Sequence, residues 1–214
     1  MNESRFYEYE FDKRGIAAET GIAKTDLLKV ADHLVRYFND REDSAQVEVM
    51  RAGRPFEVFN EREVTHLGDV KTIIRFFYLL QWAAATYIGA YLIVLGIWRR
   101  RSFLQDVTGT LVRGSLVTLS VIGLLGLWAL IDFDSLFRVF HHLGFRNDLW
   151  LLDPSRDYLI MLFPEGFFFD GALCLVGALI GELLLVGGIA WIYRRRQNRC
   201  PPGQSPAPES ARPL

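Results

Sequence analysis

The chain has 214 residues, with 24 Lys and Arg against 25 Asp and Glu, and half of its residues are hydrophobic. Such a near-neutral balance gives no reason to expect a nucleic-acid partner, but by itself it does not separate a membrane protein from a large soluble core. The distribution is more telling: residues 1–72 carry charges every few positions, whereas most of 73–193 is apolar and broken by two arginine clusters.

The first 72 residues are near the lower limit for an independent core, so this region is expected to lean on the apolar segments beyond it. No charged n-region followed by an apolar stretch opens the sequence. Residues 25–39 begin with Thr25 as the expected cap and repeat Leu27, Leu28, Val30, Ala31, Leu34, Val35 and Phe38 at helical spacing. His33 falls on the charged side of that helix and is expected at the solvated surface. AQVEVM and PFEVF, separated by RAGR, predict a β-hairpin with a loop of about four residues. Asn60 followed by Glu63 reads as a capping box that starts a helix running unbroken into the first apolar stretch. On that helix Glu63, His66, Asp69 and Val70 recur every three or four residues and share one face.

A hydrocarbon core about 30 Å thick needs roughly 20 apolar residues in helix. Residues 73–98, 111–131 and 171–193 meet that length. The expected fold is therefore mainly α, a polytopic helical membrane protein with a small α+β extracytoplasmic region at 1–72. Arg99, Arg100 and Arg101 follow the first span, and Arg194, Arg195, Arg196 and Arg199 follow the third, which places 99–110 and 194–214 in the cytoplasm. The 132–170 segment is acidic and shares the opposite side with the N-terminal region. Trp98 and Trp191 at the inner ends, with Trp128 and Trp150 near the outer ends, suit an interfacial belt. An N-terminal region that must cross the membrane without an export element predicts an additional span upstream; N-out insertion driven by the first visible span is the other route.

Between the second and third spans, Phe137, Phe140, His141 and Phe145 recur at helical spacing and predict a short interfacial helix. Asn147, Asp148 and Asp153-Pro154 are turn formers, and Pro164 suits a helix start before Glu165. His141 lies among aromatics on the same side as His66, which brings two groups titrating near neutral pH within reach of lipid ester carbonyls. In the third span, Glu182 is expected to be protonated or hydrogen-bonded, with Gln81, Thr86, Thr118 and Ser120 as candidate partners. Gly177 and Gly181 would permit close helix approach. Cys174 and Cys200 fall at opposite ends of that span, so no disulfide is expected. Residues 197–214 are Pro-rich and polar, and are expected to be disordered.

EREVTHLGDVK before the first span and FRVFHHLGFRNDLWLLDPSRDYLIMLFPEGFFFD after the second resemble the Lit family of lipoprotein intramolecular transacylases, whose patterns are E-x-x-H-x-x-D-V-K and F-H-x-x-x-F-x-N-D-x-W. The resemblance extends over about residues 5–195. Family members have four spans, so it implies that a first span is absent from this sequence. It implies His66 and His141 as the catalytic pair. His141 is favoured over His142 because it directly follows Phe140. The activity implied moves the sn-2 acyl chain of a diacylglyceryl lipoprotein to the α-amino group of its N-terminal cysteine, giving the lyso form. The implied partners are a diacylated lipoprotein and membrane lipids, with no cofactor.

Aminolysis of an ester needs a deprotonated amine, a stabilised oxyanion and a proton for the departing oxygen, and two histidines cover two of those tasks. The sequence has no G-x-S-x-G elbow, in keeping with a reaction that needs no enzyme nucleophile. Glu63 or Asp69 is a candidate for orienting a histidine, Asn147 for donating to the oxyanion, and His142 and Asp148 for support. Two other readings remain open. One is a membrane metallohydrolase with His66, Asp69, His141 and His142 as ligands, although H-x-x-D is not H-E-x-x-H. The other is a non-enzymatic envelope scaffold or sensor.

Overall fold

A computed structural model describes residues 3–100 and 102–199. Arg101, Cys200 and the stretch beyond residue 199, part of the tail expected to be disordered, lie outside the described residues. Among the described residues, eight helices and one hairpin run in chain order: α1 Glu3–Arg14, α2 Ile16–Thr20, α3 Lys24–Phe38, β1 Glu48–Arg51, β2 Arg54–Glu57, α4 Glu61–Trp98, α5 Phe103–Ile131, α6 Phe133–Gly144, α7 Tyr158–Leu162 and α8 Glu165–Arg199. The described residues divide into two compact units, one of residues 3–86 with 127–174 and the other of residues 87–100 and 102–126 with 175–199.

In the first unit, left-handed glycines bound the short α2: Gly15 precedes it at φ 65° and Gly21 closes it at φ 67°, a conformation that a Cβ would strain. α3 buries Leu27, Val30, Ala31, Leu34 and Tyr37 along one stripe. Its N-cap is Ala23, without a side-chain hydrogen bond, and not Thr25, which lies inside the first turn. The hairpin also departs from expectation. Arg51 pairs with Arg54, leaving a two-residue turn of Ala52 and Gly53. Both have positive φ, 50° and 77°, the signature of a tight primed turn whose twist matches the strands. The hydrophobic core joins Phe11, Ile16 and Val30 to Leu67 of α4 and to Leu162 and Phe163 around α7. The N-terminal 60 residues therefore share one core with segments much later in the chain.

Among the described residues, three helices are long and apolar enough to cross a membrane: Glu61–Trp98, Phe103–Ile131 and Glu165–Gln197. Their most apolar windows are at most 6 % buried within the protein. Apolar surface on that scale needs lipid to cover it. Each helix outruns its apolar stretch. α5 starts at Phe103, inside the segment expected to be a loop, and α8 continues through Arg194–Arg196, expected to be tail. Hydropathy marks the part of a helix immersed in lipid and is blind to polar turns that continue the same hydrogen-bond ladder.

The second unit packs α5 on α8 through small residues, with a Cβ on Gly187 falling 2.9 Å from the Ser115 side chain. Glu182 is exposed and has no partner among the described residues. Two of its expected partners, Thr86 and Ser120, instead donate to the carbonyls of Trp82 and Leu116 on their own helices. Gly177 and Gly181 face open space.

Candidate active site

The first turns of α4 are set by a reciprocal cap. The Asn60 backbone N–H donates to Glu63 at 2.7 Å, and the Glu63 N–H donates to the Asn60 side chain at 3.1 Å. The other carboxylate oxygen of Glu63 accepts from the Leu159 N–H at 2.6 Å. Glu63 is therefore an anchor for the start of α4 and for α7. It is 1 % exposed, and burial raises its pKa against the lowering by its two backbone donors. Its hydrogen bonds go to the backbone at Asn60 and Leu159, and none reaches a histidine, the orienting role that its helical spacing suggests.

One turn further along α4 is His66, 6 % exposed, and from α6 comes His141, 8 % exposed. Their ring centroids are 6.1 Å apart. Phe145 closes one side, 4.9 Å from His66 and 5.5 Å from His141. Phe137 and Trp150 lie 4.2 and 4.9 Å from His141. The site is a pair of imidazoles in an aromatic enclosure.

The tautomer of His141 is set by its partner. Its Nδ1 is 2.7 Å from the Phe137 carbonyl oxygen, which can only accept, so Nδ1 carries the proton and Nε2 is the free base. Burial lowers its pKa, while the Phe137 carbonyl acts in the opposite direction by favouring the imidazolium. His66 is pushed down to about 4, chiefly by burial and then by the nearby His141 and Arg62, with Asp69 opposing. Neutral pH thus finds His66 uncharged, and not titrating near neutrality as expected from sequence. His66 Nδ1 is buried without a hydrogen-bond partner. Such an atom costs about 1–3 kcal/mol, a penalty that functional sites commonly retain.

The remaining candidates divide. Asp69 accepts from the Asn147 side chain at 2.9 Å, so these two meet across the α4 to α6–α7 loop contact. Asn147 also caps its own turn by accepting from the Leu149 N–H. His142 is exposed and meets Trp150 edge-on at 5.0 Å. Asp148 contributes its backbone carbonyl, not its carboxylate, as an acceptor for Arg62. Among the described residues, no three His, Cys, Asp or Glu side chains gather as a metal-ligand set, so geometry lends nothing to the metallohydrolase reading.

Sequence reasoning missed the residues that hold the enclosure together. The Arg62 guanidinium donates to the carbonyls of Asp148, Leu149 and Leu151, which fixes the segment carrying Trp150. Asp157, 2 % exposed, accepts from Asn60 Nδ2 at 2.9 Å and from the Asp153 N–H at 2.7 Å. Lys71 is buried over the Tyr37 ring and reaches Asp40 at 3.1 Å, tying α4 to the end of α3. The signal is present in part: Arg62 and Lys71 lie inside the EREVTHLGDVK stretch, and Trp150 inside the stretch that carries His141.

A family model described as lipoprotein intramolecular transacylase Lit matches residues 1–168, which include both histidines. An uncharacterized protein of Aquifex aeolicus is 26% identical over 188 residues, covering 86% of this chain and 82% of its own. Among solved structures, the membrane-integral lipoprotein intramolecular transacylase Lit of Bacillus cereus is similar at a TM-score of 0.71 and 23% identity, over 91% of this chain and 85% of that one. Two variants of that protein with a histidine replaced, by alanine or by arginine, give TM-scores of 0.64 and 0.65 at 23% identity. These likenesses agree with a helical, membrane-integral fold.

Proposed function

The chain belongs to the Lit family of lipoprotein intramolecular transacylases, and from that membership we propose that His66 and His141 are its catalytic pair, acting at the extracytoplasmic face of a multi-pass enzyme. The observation that carries the assignment is the 6.1 Å approach of two buried imidazoles supplied by α4 and α6. The arginines after Trp98 and from Arg194 onward support the orientation, since such clusters stay in the cytoplasm.

The substrate is a diacylglyceryl lipoprotein, and the reaction transfers its sn-2 acyl group to the α-amino nitrogen of the lipidated cysteine. The free amine attacks the ester carbonyl carbon, forming the C–N bond and a tetrahedral oxyanion. His141 Nε2 takes the proton from the attacking nitrogen, and the resulting imidazolium keeps its Nδ1–H on the Phe137 carbonyl. Collapse of the adduct breaks the bond to the glyceryl sn-2 oxygen, which receives that proton. No proton is gained or lost overall. His66, uncharged at neutral pH, supplies a neutral N–H for the oxyanion instead of a competing cation.

The aromatic surroundings suit this division. Burial disfavours a lasting imidazolium, so the proton's stay on the enzyme is brief. Amine and ester share one molecule, so orienting them removes much of the entropic barrier without a covalent enzyme intermediate. The test is mass spectrometry of lipoprotein N-termini from cells whose only transacylase is this protein or its variants. His66→Ala and His141→Ala are expected to leave the diacyl form unconverted. Lyso-form product at the normal rate from either variant would remove the assignment.

A further inference from the structure

The second compact unit holds a cavity of about 280 Å³ lined from α4, α5 and α8. Its charged lining is three arginines and one carboxylate: Arg99, Arg113, Arg194 and Asp106. Arg99 is already committed, with its Nε 3.3 Å from Asp106. Arg113 and Arg194 have no carboxylate or hydrogen-bond partner among the described residues. Two uncompensated guanidiniums thus face one cavity.

Arg113 lies ten positions into α5, about 15 Å along the helix, just before the apolar run that continues to Ile131. Gly109, one turn earlier, is buried, and a Cβ there would fall 2.8 Å from Arg194 Nη1. The glycine therefore leaves room for the Arg194 head to lie over α5 and point at the same space. Tyr91 and Leu95 of α4 give the cavity an apolar flank.

We propose that this cavity binds the phosphate headgroup of an anionic phospholipid. The guanidinium fork matches two phosphate oxygens, and the apolar flank continues along the glycerol and acyl chains. In the orientation set by the arginine clusters, the lipid belongs to the cytoplasmic leaflet, where basic pockets between helices recognise anionic headgroups. The proposal is independent of the transacylase chemistry.

The test uses the full chain in phosphatidylcholine nanodiscs, titrated with phosphatidylglycerol and read by native mass spectrometry. The expected result is saturable phosphatidylglycerol binding that millimolar inorganic phosphate does not displace. Replacing both guanidiniums, Arg113→Gln with Arg194→Gln, is expected to weaken it by about tenfold or more. Arg195→Gln is the control, because Arg195 lies over the Trp191 ring at 5.1 Å and does not line the cavity; it is expected to bind as the wild type does. Equal loss in that control would mean diffuse attraction and would overturn the site. Displacement by inorganic phosphate would overturn the lipid assignment, as would equal binding of phosphatidylcholine. If the double variant does not fold, Gly109→Val alone pushes Arg194 aside, and unchanged phosphatidylglycerol binding by it would also defeat the proposal.

Discussion

The Nδ1–H of His141 donates to the carbonyl oxygen of Phe137, one turn back on the same helix, at 2.7 Å. That bond fixes the tautomer without any carboxylate and leaves Nε2 as the free base, the nitrogen to which the proposed mechanism gives the proton transfer. His142, one residue on, is exposed and has no such bond. Turnover of a diacylated lipoprotein peptide by the purified enzyme should therefore separate the two. His141→Ala is expected to lower kcat by roughly 10² to 10⁴, the usual worth of a positioned general base, and His142→Ala by less than about tenfold. The reverse ranking would transfer the role to His142.

Acid should unfold this protein partly through His66. Its folded pKa is about 4 against an ordinary 6.5, so the unfolded chain binds that proton first as pH falls. The stability associated with the neutral ring is complete above 6.5 and is lost progressively down to about 4, a total of roughly 3 kcal/mol. Thermal denaturation in detergent across that window should show Tm falling with acidification. In His66→Phe the decline should be visibly shallower. Parallel curves for the two proteins would mean that the imidazole is not held neutral.

The large features of this architecture are legible in the sequence because they depend on composition over many residues. Apolar runs of membrane length, the Asn60–Glu63 cap and the amphipathic α3 are all local patterns. So is the face shared by His66 and Asp69, since helical spacing fixes it whatever packs against it. The aromatic enclosure is not legible in the same way. That Arg62 reaches three carbonyls near Trp150 depends on the path of the α6–α7 loop, which no periodicity encodes. Glu63 shows the same limit: its spacing from His66 suggests an orienting carboxylate, but the carboxylate instead holds the N–H of Leu159, far along the chain. Backbone donors leave no trace in side-chain spacing.

Arg62 is expected to act as a positioning residue. Losing it leaves three carbonyl groups without their donor and frees the segment that holds Trp150 against His141. Arg62→Ala should speed amide hydrogen exchange through residues 148–151 and reduce kcat by about tenfold to a hundredfold, the scale expected when reacting groups lose registration. Arg62→Lys keeps the charge but not the fork and should recover only a part. Wild-type exchange in that segment for Arg62→Ala would show that the loop does not depend on the clamp.

Glu63 separates support from chemistry. Its oxygens accept from Asn60 and Leu159, so Glu63→Ala removes the acceptors of two part-buried backbone N–H groups. The expected penalty is about 2–4 kcal/mol, from a lost cap and an unsatisfied donor together. Glu63→Gln retains a single amide oxygen, and its NH₂ would face an N–H donor, so it should lower Tm by an intermediate amount. Because neither oxygen touches an imidazole, the Gln enzyme that remains folded should turn over at nearly the wild-type kcat, with its pH profile unshifted. A large fall in kcat at unchanged Tm would instead return Glu63 to the reacting groups.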